Sequence, residues 1–273
     1  MPKIKLALCQ MNVVDDKEEN LKKAQIMIEK SADSDFIVLP EMFNCPYSND
    51  KFIEYAEVES ESKSLDVISK LAFEYKTYIL AGSIPERDLD KIYNTSYLFD
   101  KNGNIILKHR KMHLFDIDVA GKITFKESDV LSSGDTVSVT DTEFGKIGVG
   151  ICYDIRFVEL SRLMAESGAL VLFYPGAFNM TTGPAHWELL FRSRALDNQV
   201  FCVGVAPALN KKASYHSYGH SIVTNPWGKV VLQGGFEEEI IKCEIDLDEI
   251  KKVREELPIL KNKRKDLYKT ELL

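Results

Sequence analysis

The chain has 273 residues and lacks the marks of several protein classes. No apolar run reaches the ~18 residues that a membrane helix needs, so no membrane partner is expected. Met1-Pro2-Lys3 runs directly into a strand-like segment, with no apolar leader or cleavage pattern. A cytoplasmic location is the expectation. Positive charge is also scarce: Lys and Arg total 35 against 42 Asp and Glu, a net charge of −7. Nucleic acids are bound by neutralising phosphates, so none is expected as a partner. The one basic cluster, KNKRK at 261–265, reads as a solvated tail.

Metal and cofactor signatures are missing too. The five cysteines (Cys9, Cys45, Cys152, Cys202 and Cys243) are odd in number, scattered, and never spaced C-x-x-C. Neither a disulfide framework nor a thiolate metal site fits that pattern. There is no phosphate-cradling G-x-x-x-x-G-K-[ST]. Gly148-Val149-Gly150 begins a dinucleotide pattern, but Tyr153 occupies the place of its third glycine. His186-Trp187-Glu188 matches a deaminase H-x-E, yet no P-C-x-x-C follows. No metal and no cofactor are expected.

What the chain does contain is an alternation of short apolar runs and amphipathic stretches. Strands are expected at KIKLALCQM (3–11), FIVLP (36–40), TYILAGSIP (77–85), GKIGVGIC (145–152), ALVLFYP (169–175) and VFCVGVAPA (200–208). Fully apolar runs such as FIVLP indicate strands covered on both faces. Helices are expected near 19–31, 62–75, 158–168 and 185–198, with a charged helix at the C-terminus. TSYLFD and NIILKHRK flank an Asn-Gly and read as a hairpin. HSIVTN, KVVLQG and EIIKCEID complete the strands. No linker or 20–50-residue repeat divides the sequence. The reading is one α/β domain over 1–273, its mixed sheet or two packed sheets covered by helices.

Three polar residues stand where strands end: Glu41 after FIVLP, Lys111 at the end of NIILKHRK, and Cys152 at the end of GKIGVGIC. Taken singly, each charged residue is best read as a solvated cap and the cysteine as a small buried hydrophobe. Taken together their chemistry is complementary. A carboxylate can take the proton of a thiol, and an ammonium can stabilise an oxyanion. The backbone N–H of Tyr153, at a strand-to-helix turn, can serve as a second oxyanion donor. These parts suffice for acyl transfer. His109 and His113 flank Lys111 and are expected to position it. Cys9, Cys202 and Cys243 read as strand residues, and Cys45 lies on a loop near Glu41.

LPEMF around Glu41, HRKMHLFD around Lys111 and GICYDIRF around Cys152, in that order, resemble the nitrilase, or carbon–nitrogen hydrolase, superfamily. The likeness runs over essentially the whole chain. YPGAFNMTTGPAHWELLFRSRALDNQVF, NPWG and DIDVAGKITFKES resemble its omega-amidase branch. The resemblance implies a four-layer αββα sandwich with two mixed sheets. It implies a homodimer, with the tail at about 247–273 in the dimer contacts. It implies a catalytic triad of Glu41, Lys111 and Cys152, with Glu127 holding the lysine. Arg156, Phe178 and Tyr47 are candidate substrate-binding residues. Arg156 could instead pair with Asp154 or Glu159 and only fix the turn. The implied activity is hydrolysis of the terminal amide of a small dicarboxylate monoamide, of the 2-oxoglutaramate or 2-oxosuccinamate type, through a thioester. Carbamoyl-amine or deaminated-glutathione amidase activity, or a silent binding protein of the same fold, are the alternatives. One departure stands out: CPYS (45–48) has serine where this branch commonly has glycine.

Overall fold

A computed structural model describes residues 2–121 and 123–273. Met1, the first residue of the expected domain, and Lys122, within DIDVAGKITFKES, lie outside the described residues. The first half of the chain runs β1 (Lys3–Gln10), α1 (Lys17–Glu29), β2 (Phe36–Val38), α2 (Asn49–Tyr55), α3 (Lys63–Tyr75), β3 (Tyr78–Leu80), β4 (Ile84–Asp88), β5 (Lys91–Phe99) and β6 (Ile105–Arg110). A small hairpin follows, β7 (Asp116–Val119) and β8 (Ile123–Lys126). The second half runs β9 (Ser138–Thr142), β10 (Gly145–Val149), α4 (Val158–Glu166), β11 (Val171–Pro175), α5 (Gly183–Asn198), β12 (Phe201–Val205), β13 (Ile222–Thr224), β14 (Val230–Gln233), β15 (Glu239–Asp246) and α6 (Asp248–Glu256).

The strands form two large mixed sheets. One has the order β15-β1-β2-β3-β5-β4 with β6 on β5; the other is β14-β13-β12-β11-β10-β9. Each has a parallel centre (β1-β2-β3 and β10-β11-β12) and antiparallel flanks. The period of two along each strand decides the layering. In β1, Ile4, Leu6 and Leu8 join Phe36, Val38, Val149, Phe173 and Val203 in a core between the sheets. Ala7 and Cys9 point the other way, onto Ala24 and Ile28 of α1 and Ile68 and Ala72 of α3. Cys202 and Leu172 likewise turn outward, onto Met164 of α4 and Phe191 of α5. The result is the expected four-layer αββα sandwich. It explains why the central strands read as continuous apolar runs: both their faces are covered.

Local chemistry fixes the helix ends. The Asp16 side chain accepts from Glu19 N at 3.0 Å and caps α1; Ser62 caps α3 by accepting from Leu65 N at 3.1 Å. The hairpin predicted at Asn102-Gly103 forms, but with a five-residue loop in which Asp100 accepts from Asn102 N and Asn104 N, both at 2.8 Å. One expectation needs correction. TYILAGSIP is not one strand: it breaks between β3 and β4 at Gly82, whose φ is 37°. A β-carbon there would lie 1.9 Å from the Pro40 carbonyl oxygen, so the chain passes against residues 39–40 only because no side chain intervenes. Helix α2 was not anticipated, because seven residues give too little periodicity to register.

Phe36 and Phe173 stack across the two sheets at 5.6 Å between ring centroids, both essentially inaccessible. Phe173→Ala should cost about 3–5 kcal/mol, the usual range for a truncated core aromatic. The midpoint of guanidinium unfolding measures it; a loss under 1 kcal/mol would mean that the inter-sheet layer closes over the hole.

Candidate active site

Strand ends deliver four buried polar side chains to one place. Glu41 lies three residues beyond β2, in a loop tied down by Met42 N donating to Ser83 Oγ (3.0 Å) and Phe43 N to Ser83 O (3.1 Å). Lys111 is the residue after β6, its backbone N–H on Asn94 O at 2.8 Å. Glu127 follows β8. Cys152 opens a short 3-10 helix after β10, with φ at 47°. A left-handed φ is strained for cysteine, and strain of this kind gathers at functional sites. Gly176 makes room for the turn: a β-carbon there would meet Cys152 Cα at 3.2 Å.

The ion cluster is closed off from solvent. Lys111 Nζ donates to Glu41 Oε1 at 3.0 Å and to Glu127 Oε1 at 2.9 Å, and all three side chains are fully buried. Glu41 Oε1 also accepts from Asn94 Nδ2 (2.8 Å), and Oε2 from Ala177 N (2.7 Å). Glu127 accepts from Tyr47 OH (2.6 Å) and Phe115 N (2.6 Å). The Cys152 thiol lies beside the Glu41 carboxyl. Burial pushes the Glu41 carboxyl above its ordinary range, only partly offset by the Lys111 charge. Burial and then the Glu41 charge push the Cys152 thiol well up, again against the pull of Lys111. Burial opposes the Lys111 charge, but Glu127 and Glu41 overcome it and hold the ammonium charged. The resting site therefore pairs a neutral thiol with a basic carboxyl and a fixed cation.

Around the cluster, Tyr47 packs on Tyr215 at 4.6 Å and on Phe125 at 5.6 Å. Tyr215 OH donates to Ala177 O at 2.5 Å. A cavity of about 820 Å³ reaches this wall from the side of Glu41, Tyr47 and Tyr215. Tyr153 sits in the first turn of the 3-10 helix, where backbone donors have no intrahelical acceptor. Arg156, at the end of that helix, is half-buried. It meets His186 Nδ1 at 3.2 Å and lies over the Phe178 ring at 4.9 Å. Among the described residues it pairs with neither Asp154 nor Glu159.

The sequence motifs match established proteins. The profile described as "Carbon-nitrogen hydrolase" covers residues 5–255. The chain belongs to the carbon–nitrogen hydrolase family. It is 50% identical to the Xenopus laevis omega-amidase NIT2-A over 99% of both chains. It is 47% identical to the human omega-amidase NIT2 over 100% of this chain and 99% of that one. Its structure superposes on that of Saccharomyces cerevisiae Nit3, a member of branch 10 of the nitrilase superfamily. The TM-score is 0.89 at 47% identity, covering 96% of this chain and 97% of that one. As a carbon–nitrogen hydrolase, the chain is an enzyme acting on small amides. Within the described residues no helix is long and apolar enough to cross a membrane.

The geometry adds residues to this hydrolase site that motif reading left out. Asn94 lies mid-strand with a polar side chain buried beside Glu41, a signal that was open to sequence reading. Tyr215 comes from a loop with no periodicity, and nothing marked it. Asp154, visible in GICYDIRF, joins the two histidines around Lys111. His109 and His113, expected to position Lys111, both meet this carboxylate on the cysteine's own turn instead of contacting the lysine.

A buried thiol with a raised pKa makes a kinetic prediction. Alkylation of Cys152 by iodoacetamide should climb with pH throughout pH 6–9, because only the thiolate reacts. A plateau below pH 7 would mean a preformed thiolate. Intact and peptide mass spectrometry across that range gives the profile.

Proposed function

We propose that this hydrolase is an omega-amidase with Cys152 as nucleophile, Glu41 as general base, Lys111 as oxyanion donor and Glu127 as the group that holds the lysine. The carrying observation is the single buried network of thiol, carboxyl and ammonium, in a chain about half identical to omega-amidases along its whole length. The mechanism follows from the charges. The thiol is neutral at rest, so attack on the amide carbon requires Glu41 to take the proton as the S–C bond forms. A carboxyl held above its ordinary pKa is the better base for that transfer. The tetrahedral oxyanion meets Lys111 Nζ and the Tyr153 N–H. Collapse breaks the C–N bond, and Glu41 returns the proton to the departing ammonia. Water, deprotonated by Glu41, then hydrolyses the thioester and regenerates the thiol. No step calls for a metal or organic cofactor.

The dicarboxylate monoamide class needs a cation for the distal carboxylate, since burying that charge unpaired costs several kcal/mol. Arg156 supports this role. It has no carboxylate partner among the described residues, and its Nε is buried without a hydrogen bond. Phe178 under its guanidinium and Tyr47, bonded to Glu127, would flank the acyl chain. The reading carries with it one domain over 1–273, a cytoplasmic location, and a homodimer with residues 247–273 among its contacts.

Cys152→Ala should leave a folded protein whose ammonia release from 2-oxoglutaramate is below about a thousandth of the parent's, since loss of a catalytic nucleophile costs on the order of 10⁶ in kcat. Residual turnover above that level would remove Cys152 as nucleophile. A panel including 2-oxosuccinamate, a carbamoyl amine and a deaminated tripeptide fixes the substrate class, and failure on the two monoamides alone would overturn the omega-amidase reading.

Arg156→Lys keeps the charge but loses the planar two-point grip on a carboxylate. kcat/KM should fall at least tenfold for 2-oxoglutaramate and no more than about threefold for an uncharged short amide. Equal losses on both would make Arg156 a structural residue.

A further inference from the structure

Asp154 is fully buried and the proposed chemistry does not use it. Its carboxyl takes four N–H groups. Oδ2 accepts from Ile151 N at 2.9 Å and faces His109 Nε2 at 3.0 Å. Oδ1 accepts from His113 N at 3.0 Å and faces His113 Nδ1 at 2.8 Å. The hydrogen bonds from the two imidazoles hold the Asp154 carboxyl far below the usual carboxylate range, against the opposing effect of burial. An ionised carboxylate only accepts, so both ring nitrogens facing it carry protons. With four donors its lone pairs are filled.

The donors come from the two segments that carry the reacting groups. Ile151 immediately precedes Cys152 at the left-handed turn. His109 and His113 lie two residues to either side of Lys111. Each is held from behind as well: His109 Nδ1 meets Ser138 Oγ of β9 at 2.9 Å, and the His113 ring stacks on Phe157 at 3.6 Å. β6 belongs to one sheet and β10 to the other. The thiol and the ammonium therefore come from opposite layers of the sandwich, and this carboxylate is a direct polar clamp between their two segments.

We propose that Asp154 is a positioning residue for the amidase reaction: its four-donor clamp holds the Cys152 turn and the Lys111 segment in one register, so that the thiol, Glu41 and Lys111 keep their reactive geometry. The proposal rests on the roles proposed above for those three residues. A one-ångström error between reacting groups costs on the order of a hundredfold in rate, and a clamp of this kind acts on that term.

Asp154→Asn tests it. An amide offers one carbonyl oxygen and turns two donors toward N–H groups that already donate. We expect kcat per titratable thiol to fall about a hundredfold, with KM for 2-oxoglutaramate within threefold and the circular dichroism spectrum unchanged. A residue with only a folding role would lower the fraction of active protein and the melting temperature, and leave kcat per active thiol intact. That result overturns the proposal. The rate of Cys152 alkylation at pH 8 should also change at least fivefold, because the thiol's placement against Glu41 and Lys111 sets how readily it ionises; an unchanged rate would overturn the proposal. This second readout needs no amide turnover, so it judges the clamp even if the substrate assignment is wrong. Should Asp154→Asn not fold, His113→Phe keeps the stack on Phe157 and removes one side-chain donor. We expect about a tenfold loss in kcat per thiol, and no loss would equally overturn the proposal.

Discussion

One lysine charge, buried between two glutamates, is the constraint on which the site depends. At about 3 Å and an effective dielectric near 20, each Lys111–carboxylate contact is worth about 5 kcal/mol of attraction. Removing three charges from water costs several kcal/mol apiece. The two sides are comparable, so the cluster is not explained as a source of stability. What it secures is geometry and charge state. Glu41 and Glu127 keep Lys111 charged in a place that would otherwise favour the neutral amine. Lys111 in turn restrains the rise of the Glu41 pKa without cancelling it.

The sandwich is what can hold such a cluster still. Glu41 and Cys152 sit just past strands that end buried on both faces, whereas Lys111 and Glu127 follow the half-exposed β6 and β8. Loops leaving the buried strands inherit their rigidity. Glu41 and Lys111 come from one sheet and Cys152 from the other, so the site spans the same gap that the Phe36–Phe173 stack fills further in. Packing between sheets and alignment of thiol with base are then one problem. Small residues are needed where backbones converge on it. Gly82 lets the chain pass residues 39–40 beside Glu41, and Gly176 lets β11 end against the Cys152 turn.

Much of this was legible in the sequence because it is local. Apolar runs such as FIVLP and ALVLFYP announced strands covered on both sides. Glu41, Lys111 and Cys152 were visible as polar residues at strand ends. The motifs around them supplied the fold, which the strand pattern left open between one sheet and two. What stayed hidden is what depends on distance in space. Asn94 and Glu41 are 53 residues apart, and Tyr215 reaches Ala177 across 38. TYILAGSIP looked like one strand because Gly82 was read as a strand residue, when its positive φ marks a break. His109 and His113 were read as helpers of Lys111, but the carboxylate that joins them to the cysteine turn lies more than 40 positions away from each.

The raised pKa of the thiol shapes how such a site can work. A cysteine paired with a histidine can rest as a thiolate, because a protonated imidazole lies against it. Here the neighbour able to take the proton is a carboxylate, and loss of the proton to solvent would leave two anions side by side in a buried pocket. The thiolate is therefore unfavourable until an electrophile arrives to share the charge. In the proposed reaction, proton transfer to Glu41 and S–C bond formation advance together. The negative charge moves from the carboxylate to the substrate oxygen, where Lys111 can meet it. Net charge inside the cavity does not change during the step. A buried site tolerates moving a charge far better than creating one, and a buried Glu–Lys–Cys arrangement suits a substrate carbonyl that is itself uncharged.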